Sequence, residues 1–324
     1  MKPKVFLTRE IPPAVLAFLR EHTDLTLNPA DRVLSRAEII AGLQGRDALL
    51  CNITDAISAE LIAAVPSLRV IANFGVGFNN IDVAAATARK IPVTNTPGVL
   101  TEATADIAFA LLLATARRLG EGERLVRSQQ WTGWNPMQML GTDVTGATLG
   151  LIGFGRIGQA MAKRARGFDL NVIYWNRTRL STAEEAAFGV TFRPFDEVVA
   201  TANFLSLHVA YNPETHHLIG ENQFATMLPS AILINTARGP IVDEKALVEA
   251  LRTQQIAGAG LDVFEKEPAL EPALYTLNQV VVIPHLGSAT IGTRTKMGML
   301  AAQNLLAACS GQRPPHCVNP QIYL

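Results

Sequence analysis

A glycine-rich turn near the middle of the chain constrains the fold more than any other feature. The apolar run ATLGLIGFG, residues 147–155, is typical of a buried parallel strand, and a helical pattern begins at Arg156. Gly153, Gly155 and Gly158 have the G-x-G-x-x-G spacing. There the first glycine permits a tight turn, the second admits a pyrophosphate, and the third lets helix and strand pack closely. Because N–H groups at a helix start favour anions, the turn predicts a dinucleotide site.

The position of this turn also predicts two domains. The chain has 324 residues, and strand-like runs alternate with helical segments on both sides of the turn. Because the turn lies at residue 153, we expect the chain to build most of one domain, cross to a nucleotide domain and return through a last helix at 292–310. We predict a substrate domain of residues 1–99 and 288–324, and a dinucleotide-binding domain of residues 100–287.

Both domains are predicted to belong to the α/β class, as doubly wound parallel sheets covered by helices on both faces. The substrate domain is expected to be flavodoxin-like and the other to be a Rossmann domain. The cleft between two such domains is the expected place for the site.

Charge and hydropathy exclude several classes of protein. Lys plus Arg and Asp plus Glu both number 28, which offers no electrostatic attraction to nucleic acid or to an anionic membrane. The most apolar stretch, Ile107–Ala116, is shorter than the roughly 20 residues of a membrane helix. Because the opening MKPKVFLTRE has no signal-peptide pattern, we expect a cytoplasmic protein.

The cysteines and histidines do not predict a metal site. Cys51, Cys309 and Cys317 are scattered and odd in number, so neither a disulfide framework nor a metal-ligand spacing follows. His216 and His217 are adjacent, and neighbouring side chains do not share a face of a helix or strand. We interpret them as a solvated loop pair.

Three polar side chains downstream of the turn predict the catalytic site. Arg238 follows the run AILIN, Glu267 follows IAGAGLDV, and His285 follows QVVVIP. Side chains just beyond the carboxyl ends of parallel strands line one crevice, so we expect these three to converge. Each taken singly also suits a surface or partly buried structural residue, and the hypothesis depends on all three together.

These residue types suit hydride transfer to a 2-oxo acid. Arg238 can hold a carboxylate with two parallel hydrogen bonds and polarise the neighbouring carbonyl. His285 can donate a proton to the carbonyl oxygen as the hydride arrives, and Glu267 can orient the imidazole and favour its protonated form. His208 also follows a strand, and it suits a position near the cofactor as well as a packing role.

Several longer segments, in order along nearly the whole chain, resemble the D-isomer-specific 2-hydroxyacid dehydrogenases, most closely the glyoxylate/hydroxypyruvate reductases. The resemblance is carried by GVGFNNIDVAAATARKIPVTNTPGVLTEATADIAFALLLATARR, LGLIGFGRIG, NTARGPIVDE, LDVFEKEP and PHLGSAT. It implies the same roles for Arg238, Glu267 and His285.

The resemblance also implies further binding residues. Backbone N–H groups of Val76 and Gly77 are expected to bind the substrate carboxylate. A homodimer through the nucleotide-binding domain is expected, with Trp134 reaching the neighbouring subunit's site, although Trp131 and Trp134 suit interface or core packing equally well. The residues expected at the cofactor, besides those of the second strand, are Thr104, Gly153, Gly155, Arg156, Ile157, Gly158, Pro213, Thr236, Ala237, Asp262 and Ser288.

The segment YWNRTR predicts which cofactor is used. Asn176 lies 18 residues after Gly158, where NAD-preferring members of the family carry an aspartate that binds the ribose diol. A neutral Asn removes the repulsion of a 2′-phosphate, and Arg177, Thr178 and Arg179 add donors for it. We therefore expect preference for NADP(H), with NAD(H) also accepted; a solvated basic turn is the alternative.

The leading hypothesis is an NADPH-preferring reductase of glyoxylate and hydroxypyruvate that forms D-2-hydroxy acids, with 2-ketogluconate-like acids also in range. One alternative is a dinucleotide-sensing binding module, like the corepressors related to this fold, although the chain has no basic face for such partners. Another alternative is a dehydrogenase of a different small anion, such as formate or phosphite, because arginine and backbone N–H groups accept any small anion.

Overall fold

A computed structural model describes residues 2–324, and the chain divides into two compact units. The first unit comprises the chain up to Leu100 together with Ala289–Leu324, and the second comprises Thr101–Ser288. Each unit is built around its own parallel sheet.

The first unit contains a five-stranded sheet with helices between the strands. Its strands are β1 (Lys4–Leu7), β2 (Asp24–Leu27), β3 (Ala48–Asn52), β4 (Val70–Phe74) and β5 (Val93–Thr94). Its first helices are α1 (Pro13–His22), α2 (Arg36–Gly42), α3 (Ala59–Ala64) and α4 (Val83–Ala88). All neighbours pair in parallel in the order β2-β1-β3-β4-β5, which is the flavodoxin-like order.

The second unit contains a seven-stranded parallel sheet. Its strands are β6 (Thr148–Ile152), β7 (Asn171–Trp175), β8 (Val190–Phe192), β9 (Phe204–Leu207), β10 (Ile232–Asn235), β11 (Gly258–Leu261) and β12 (Val280–Val282). Its helices are α5 (Thr101–Ala116), α6 (Leu119–Arg127), α7 (Arg156–Ala165), α8 (Thr182–Phe188), α9 (Phe195–Thr201), α10 (Glu221–Thr226) and α11 (Glu244–Arg252). The order β12-β11-β10-β9-β6-β7-β8 is the Rossmann order. The chain adds strands on one side of β6 first and then on the other, so the topological switch point lies between β6 and β9.

The chain returns to the first unit through a last helix, α12 (Ile291–Cys309), close to the predicted range 292–310. Gly298 of this helix packs tightly against Val15 of α1 and Phe74 of β4. A methyl group at Gly298 would lie 2.8 Å from Val15 and 3.2 Å from Phe74. The closing helix is therefore an integral layer of the first unit.

Apolar side chains cover both faces of each sheet. In β3, Leu49 and Cys51 belong to one buried cluster, whereas Ala48 and Leu50 belong to the cluster on the opposite face. Strands buried on both faces read as continuous apolar runs, which is why the central strands were predictable from the sequence. The predicted fold class, two doubly wound parallel α/β sheets, is confirmed. No helix among residues 2–324 has the length and apolar character to cross a membrane.

Candidate active site

The glycine-rich turn joins β6 to α7 in the second unit. Gly153 has φ of +94°, and a methyl group there would lie 2.7 Å from the backbone carbon of His208. A methyl group at Gly158 would lie 2.4 Å from the Gly153 oxygen, so only glycine lets the helix pack against the turn. Gly155 faces open space, with no atom within 4 Å of an added methyl group. The backbone at the start of α7 is therefore accessible, and it fits the approach of a dinucleotide pyrophosphate.

The end of β7 lies directly beside this turn. Asn176 accepts a hydrogen bond from the Phe154 N–H at 3.3 Å and donates to the Thr178 oxygen at 2.9 Å. The Arg177 side chain is 85% exposed and lies 4.0 Å from an equally exposed Glu214. The segment therefore presents a neutral amide and an extended, solvated arginine where an acidic side chain would bind a ribose diol.

Arg179 has a different environment from Arg177. Its guanidinium donates to both carboxylate oxygens of Glu185, at 2.8 and 2.9 Å, and lies 5.2 Å from the centre of the Phe192 ring. The Tyr174 hydroxyl donates to the same Glu185 at 2.9 Å. The sequence grouped the two arginines as phosphate donors, whereas in the structure Arg179 anchors α8 to the end of β7.

Glu267 and His285 form a hydrogen-bonded pair after β11 and β12. His285 Nδ1 lies 3.0 Å from Glu267 Oε2, and the two side chains keep 28% and 30% of their surfaces exposed. Burial raises the pKa of Glu267, but the hydrogen bond and charge of His285, the Phe264 N–H and the charge of Arg238 together outweigh it. The pKa of Glu267 is therefore below its usual range, and an ionised carboxylate faces the imidazole at neutral pH.

Arg238 follows β10 and belongs to the same group of charges. Burial lowers the pKa of Arg238, and the negative charge of Glu267 opposes that shift. An arginine remains protonated under such conditions, so the guanidinium is a permanent cation next to the histidine–glutamate pair. Its backbone is fixed by Asn235, whose amide donates to the Arg238 oxygen at 2.9 Å. The structure thus brings the three predicted catalytic residues together.

The loop that carries His285 is held in an unusual conformation. His285 has φ of +53°, and its N–H donates to the Asp262 oxygen at 3.0 Å. The Asp262 carboxylate accepts from the N–H groups of Leu286 at 2.5 Å and Gly287 at 2.8 Å, and Thr104 donates to the Gly287 oxygen at 3.1 Å. Burial raises the pKa of Asp262 despite these bonds. Left-handed backbone at a bulky residue costs about 1–3 kcal/mol, and these contacts maintain it.

The loop that carries Glu267 is fixed by Gly239 and Glu244, which no motif in the sequence indicates. Gly239 packs so closely on this loop that a methyl group there would overlap the carbonyl of Phe264. The buried Glu244 carboxylate accepts from the N–H groups of Glu265 at 2.7 Å and Glu271 at 2.9 Å. Because these backbone contacts join segments far apart in sequence, no local pattern could have identified Glu244.

The interpretation of His216 and His217 as a solvated loop pair fits His216, which is exposed, but is wrong for His217. The two rings stack with their centres 4.0 Å apart. His217 Nε2 lies 2.6 Å from Glu265, and Nδ1 lies 3.7 Å from Asp243. The partner Glu265 is 48 residues away along the chain, so the hydrogen bond exists only in the folded unit. His217 therefore joins its own loop to the segment that leads to Glu267.

His208 has a packing role behind the glycine-rich turn. Its Nε2 lies 2.9 Å from the Ser206 hydroxyl, and its backbone crowds Gly153. Burial lowers the pKa of His208 to about 4, so the imidazole is neutral at neutral pH. This histidine cannot supply the proton that the reduction of a carbonyl requires.

The remaining predicted cofactor residues lie at strand and helix ends of the second unit. Arg156 and Ile157 form the first turn of α7, Pro213 begins a short 3-10 turn after β9, and Ser288 follows the His285 loop. The Thr236 hydroxyl is buried and has no hydrogen-bond partner among residues 2–324.

The segment after α6 exposes large apolar side chains. Trp134 is 80% exposed, and Trp131, which donates to the Gln138 side chain at 3.3 Å, is 52% exposed. These tryptophans are not part of the core of their own unit. Core packing is therefore excluded, and an interface or a substrate contact remains.

The structure shows no metal-like grouping and no disulfide among its described residues. No cluster of three or more His, Cys, Asp or Glu side chains in residues 2–324 is arranged to hold a metal ion. Cys51, Cys309 and Cys317 are free thiols.

Comparison with known proteins agrees with this geometry. Residues 109–287 match the family described as D-isomer specific 2-hydroxyacid dehydrogenase, NAD binding domain. A glyoxylate reductase of Thermococcus litoralis is 47% identical over 99% of this chain and 98% of its own. The crystal structure of an NADPH-dependent glyoxylate/hydroxypyruvate reductase from Sinorhizobium meliloti, in complex with NADP and malonate, is 35% identical, covers 98% of this chain and 97% of its own, and has a TM-score of 0.88.

A glyoxylate reductase structure from Paecilomyes thermophila, 34% identical over 99% of this chain and all of its own, has a TM-score of 0.87. Relatives this similar over the full length share the fold and the type of reaction, a reduction of 2-oxo acids that uses a nicotinamide dinucleotide. The chain belongs to the D-isomer specific 2-hydroxyacid dehydrogenases and is an NAD(P)-dependent oxidoreductase.

Proposed function

We propose that this protein reduces glyoxylate and hydroxypyruvate, and that it forms D-2-hydroxy acids with NADPH as its preferred cofactor. The observation that carries the proposal is the pairing of His285 with an ionised Glu267 at 3.0 Å, next to the cation of Arg238. A proton donor beside a carboxylate-binding cation is what reduction of a 2-oxo acid requires.

The proton is proposed to leave from one particular atom of His285. Because Nδ1 of the ring is hydrogen-bonded to Glu267, Nε2 is the nitrogen that can donate to the substrate. Arg238 holds the substrate carboxylate and polarises the carbonyl, so negative charge on its oxygen is stabilised as it develops. A nicotinamide dinucleotide, when bound, would supply the hydride that the carbonyl carbon accepts. His285 donates the proton to the oxygen and, in the reverse direction, accepts it from the alcohol.

We further propose that the N–H groups of Val76 and Gly77 bind the substrate carboxylate. Both residues lie in the turn that follows β4 of the first unit. The first unit, the chain up to Leu100 with Ala289–Leu324, is accordingly assigned to the substrate, and the second unit, Thr101–Ser288, to the dinucleotide.

The compartment proposed for this protein is the cytoplasm, because its three free thiols suit a reducing environment.

The preference for NADPH is proposed to come mainly from Arg177. This side chain is solvated, whereas the Arg179 side chain forms an ion pair with Glu185. Replacing Arg177 with alanine is expected to lower kcat/KM for NADPH by roughly 10- to 100-fold and to change kcat/KM for NADH by less than about 3-fold, because only NADPH carries the 2′-phosphate. Steady-state kinetics with both cofactors measures the two effects.

Arg193→Ala is the matched control for this test, since Arg193 is a half-exposed arginine of the same unit that forms an ion pair with Glu197. It should leave both cofactors unaffected. A wild-type enzyme that uses NADH as well as or better than NADPH would contradict the proposed preference.

A homodimer through the second unit is proposed from its exposed apolar side chains. Leu119 and Val126 on α6, and Trp134, Met137 and Leu140 after it, are each at least 57% exposed. Clustered exposure of this kind in one segment indicates an interaction surface. A second copy of the chain is the partner that the resemblance implies.

Val126→Glu is expected to shift the protein toward a monomer, because it places a charge within the proposed apolar interface. Sedimentation velocity at several concentrations measures the shift. Val33→Glu, at a similarly exposed valine of the first unit, is the control and should leave the assembly unchanged. A wild-type protein that sediments as a monomer at high concentration would contradict the proposal.

A further inference from the structure

In the turn Gly75–Phe78, which follows β4, the first three carbonyl oxygens each accept a hydrogen bond from a residue of the first unit. The Gly75 oxygen accepts from the Thr96 N–H at 3.0 Å. The Val76 oxygen accepts from the Asn95 side-chain amide at 2.8 Å, and the Gly77 oxygen accepts from the Asn73 side-chain amide at 2.7 Å. Three consecutive peptide groups are therefore fixed by three separate donors.

These contacts determine where the N–H groups of the turn point. The three peptide bonds are trans, and in a trans peptide the N–H points opposite to the carbonyl of the same plane. The N–H groups of Val76, Gly77 and Phe78 are therefore directed away from Thr96, Asn95 and Asn73. No oxygen among residues 2–324 accepts a hydrogen bond from any of the three.

A run of consecutive N–H groups without acceptors is an anion-binding arrangement. Small carboxylates fit it, because each oxygen can accept from one or two such donors at low cost in reorganisation. Val76 and Gly77 are half-buried and Phe78 is exposed, whereas Gly75 is buried against Ile53.

The two asparagines are themselves held in one orientation. Asn73 is completely buried, and its Oδ1 accepts from the Asn80 amide at 3.4 Å and from the Cys51 thiol at 3.7 Å. Because donors face its oxygen, its amide nitrogen is the atom left to face the Gly77 oxygen. The Asn95 backbone oxygen accepts from the buried Asn304 of α12 at 3.1 Å, which fixes the position of that residue.

We propose that Asn73 and Asn95 are positioning residues that aim the N–H groups of Val76, Gly77 and Phe78 at the carboxylate of the substrate. Neither asparagine touches the substrate; each acts by fixing the rotation of one peptide plane. The inference rests on the proposed function in one respect, that the substrate is a small 2-oxo carboxylate.

The test replaces each asparagine with aspartate, which has nearly the same shape and, when ionised, lacks the donor. An aspartate at either position places a carboxylate oxygen against the carbonyl that it should hold, and the peptide plane is expected to rotate. Asn73→Asp and Asn95→Asp are each expected to raise KM for glyoxylate, and the Kd for oxalate measured by calorimetry on the NADPH-bound enzyme, by roughly 10- to 100-fold.

Three readouts separate this effect from general damage to the fold. The change in kcat should be less than about 3-fold, and the Kd for NADPH should match that of wild type, since the substituted residues lie in the other unit. Asn28→Asp is the matched control, because Asn28 is a buried asparagine of the same unit whose amide holds the Thr8 and Arg32 oxygens instead. It should leave KM and the oxalate Kd unchanged. Should the fully buried Asn73→Asp variant fail to fold, the half-buried Asn95→Asp variant decides.

The outcomes distinguish this inference from the proposed function. If wild type binds oxalate and both aspartate variants bind it weakly while the control does not change, the inference stands even if glyoxylate is not reduced. If oxalate does not bind to wild type, or if the variants bind it as tightly as the control does, the inference is overturned, whatever the turnover of glyoxylate.

Discussion

Replacing His285 with glutamine is expected to lower kcat for glyoxylate reduction by about 10²- to 10⁴-fold. Glutamine has a similar volume and can still donate to Glu267, so the loop should keep its shape. It cannot release a proton at neutral pH, however, and the reduction then depends on water as the acid. KM for glyoxylate should change little, because the carboxylate is bound by other groups. Single-turnover and steady-state rates with excess NADPH measure the loss.

The matched control is His216→Gln, which changes an exposed histidine of the same unit that lies outside the catalytic group. Its kcat should equal that of wild type. A His285→Gln variant that retains more than about a tenth of the wild-type kcat would contradict the assignment of His285 as the proton donor.

Replacing Arg238 with lysine is expected to lower kcat/KM for glyoxylate by roughly 100-fold or more, through both a higher KM and a lower kcat. Lysine keeps the positive charge but cannot form two parallel hydrogen bonds to a carboxylate. It also cannot reproduce the flat cation that lies beside Glu267 and polarises the carbonyl. Binding of NADPH, measured directly, should stay within about 3-fold of wild type.

Arg193→Lys is the control for this substitution, since it exchanges the same residue types at a surface ion pair of the same unit. The expected change in kcat/KM is negligible. An Arg238→Lys enzyme with wild-type kcat/KM would show that a positive charge alone is sufficient. It would contradict the proposal that Arg238 binds the substrate carboxylate through two parallel hydrogen bonds.

The fold was largely predictable because its central strands are buried on both faces. Runs such as ALLCN in β3 and ILIN in β10 are almost wholly apolar and mark those strands without any alternation. The edge strands β2 and β8 are much harder to predict. Their sequences, DLTL and VTF, are short and partly exposed, so they do not differ locally from loops.

The convergence of the three proposed catalytic side chains was predictable because chain topology places them. Arg238, Glu267 and His285 each follow a strand of one parallel sheet, and carboxyl ends of neighbouring parallel strands meet at one edge. The supporting contacts were not predictable. Arg179 was predicted to be a phosphate donor from its charge and position, and only the packing of α8 reveals its pairing with Glu185.

Hydrogen bonds between residues far apart in sequence were likewise not predictable. His217 meets Glu265 across 48 residues, and Asn304 meets Asn95 across 209. Nothing in the local pattern around such residues specifies their partners, because the hydrogen bonds form only when separate elements have packed. Residue type and spacing indicate what a site can do, and tertiary packing decides which groups are available to do it.

The most direct test of the account is the steady-state rate at which the purified wild-type protein oxidises NADPH after addition of glyoxylate. Hydroxypyruvate, pyruvate and 2-ketogluconate complete the substrate panel, and each is measured with NADPH and with NADH. We expect kcat/KM for glyoxylate with NADPH of roughly 10⁴ M⁻¹s⁻¹ or higher, with NADH weaker and the His285→Gln variant nearly inactive. Failure to oxidise either cofactor with any of these 2-oxo acids, or a His285→Gln variant as active as wild type, would contradict it.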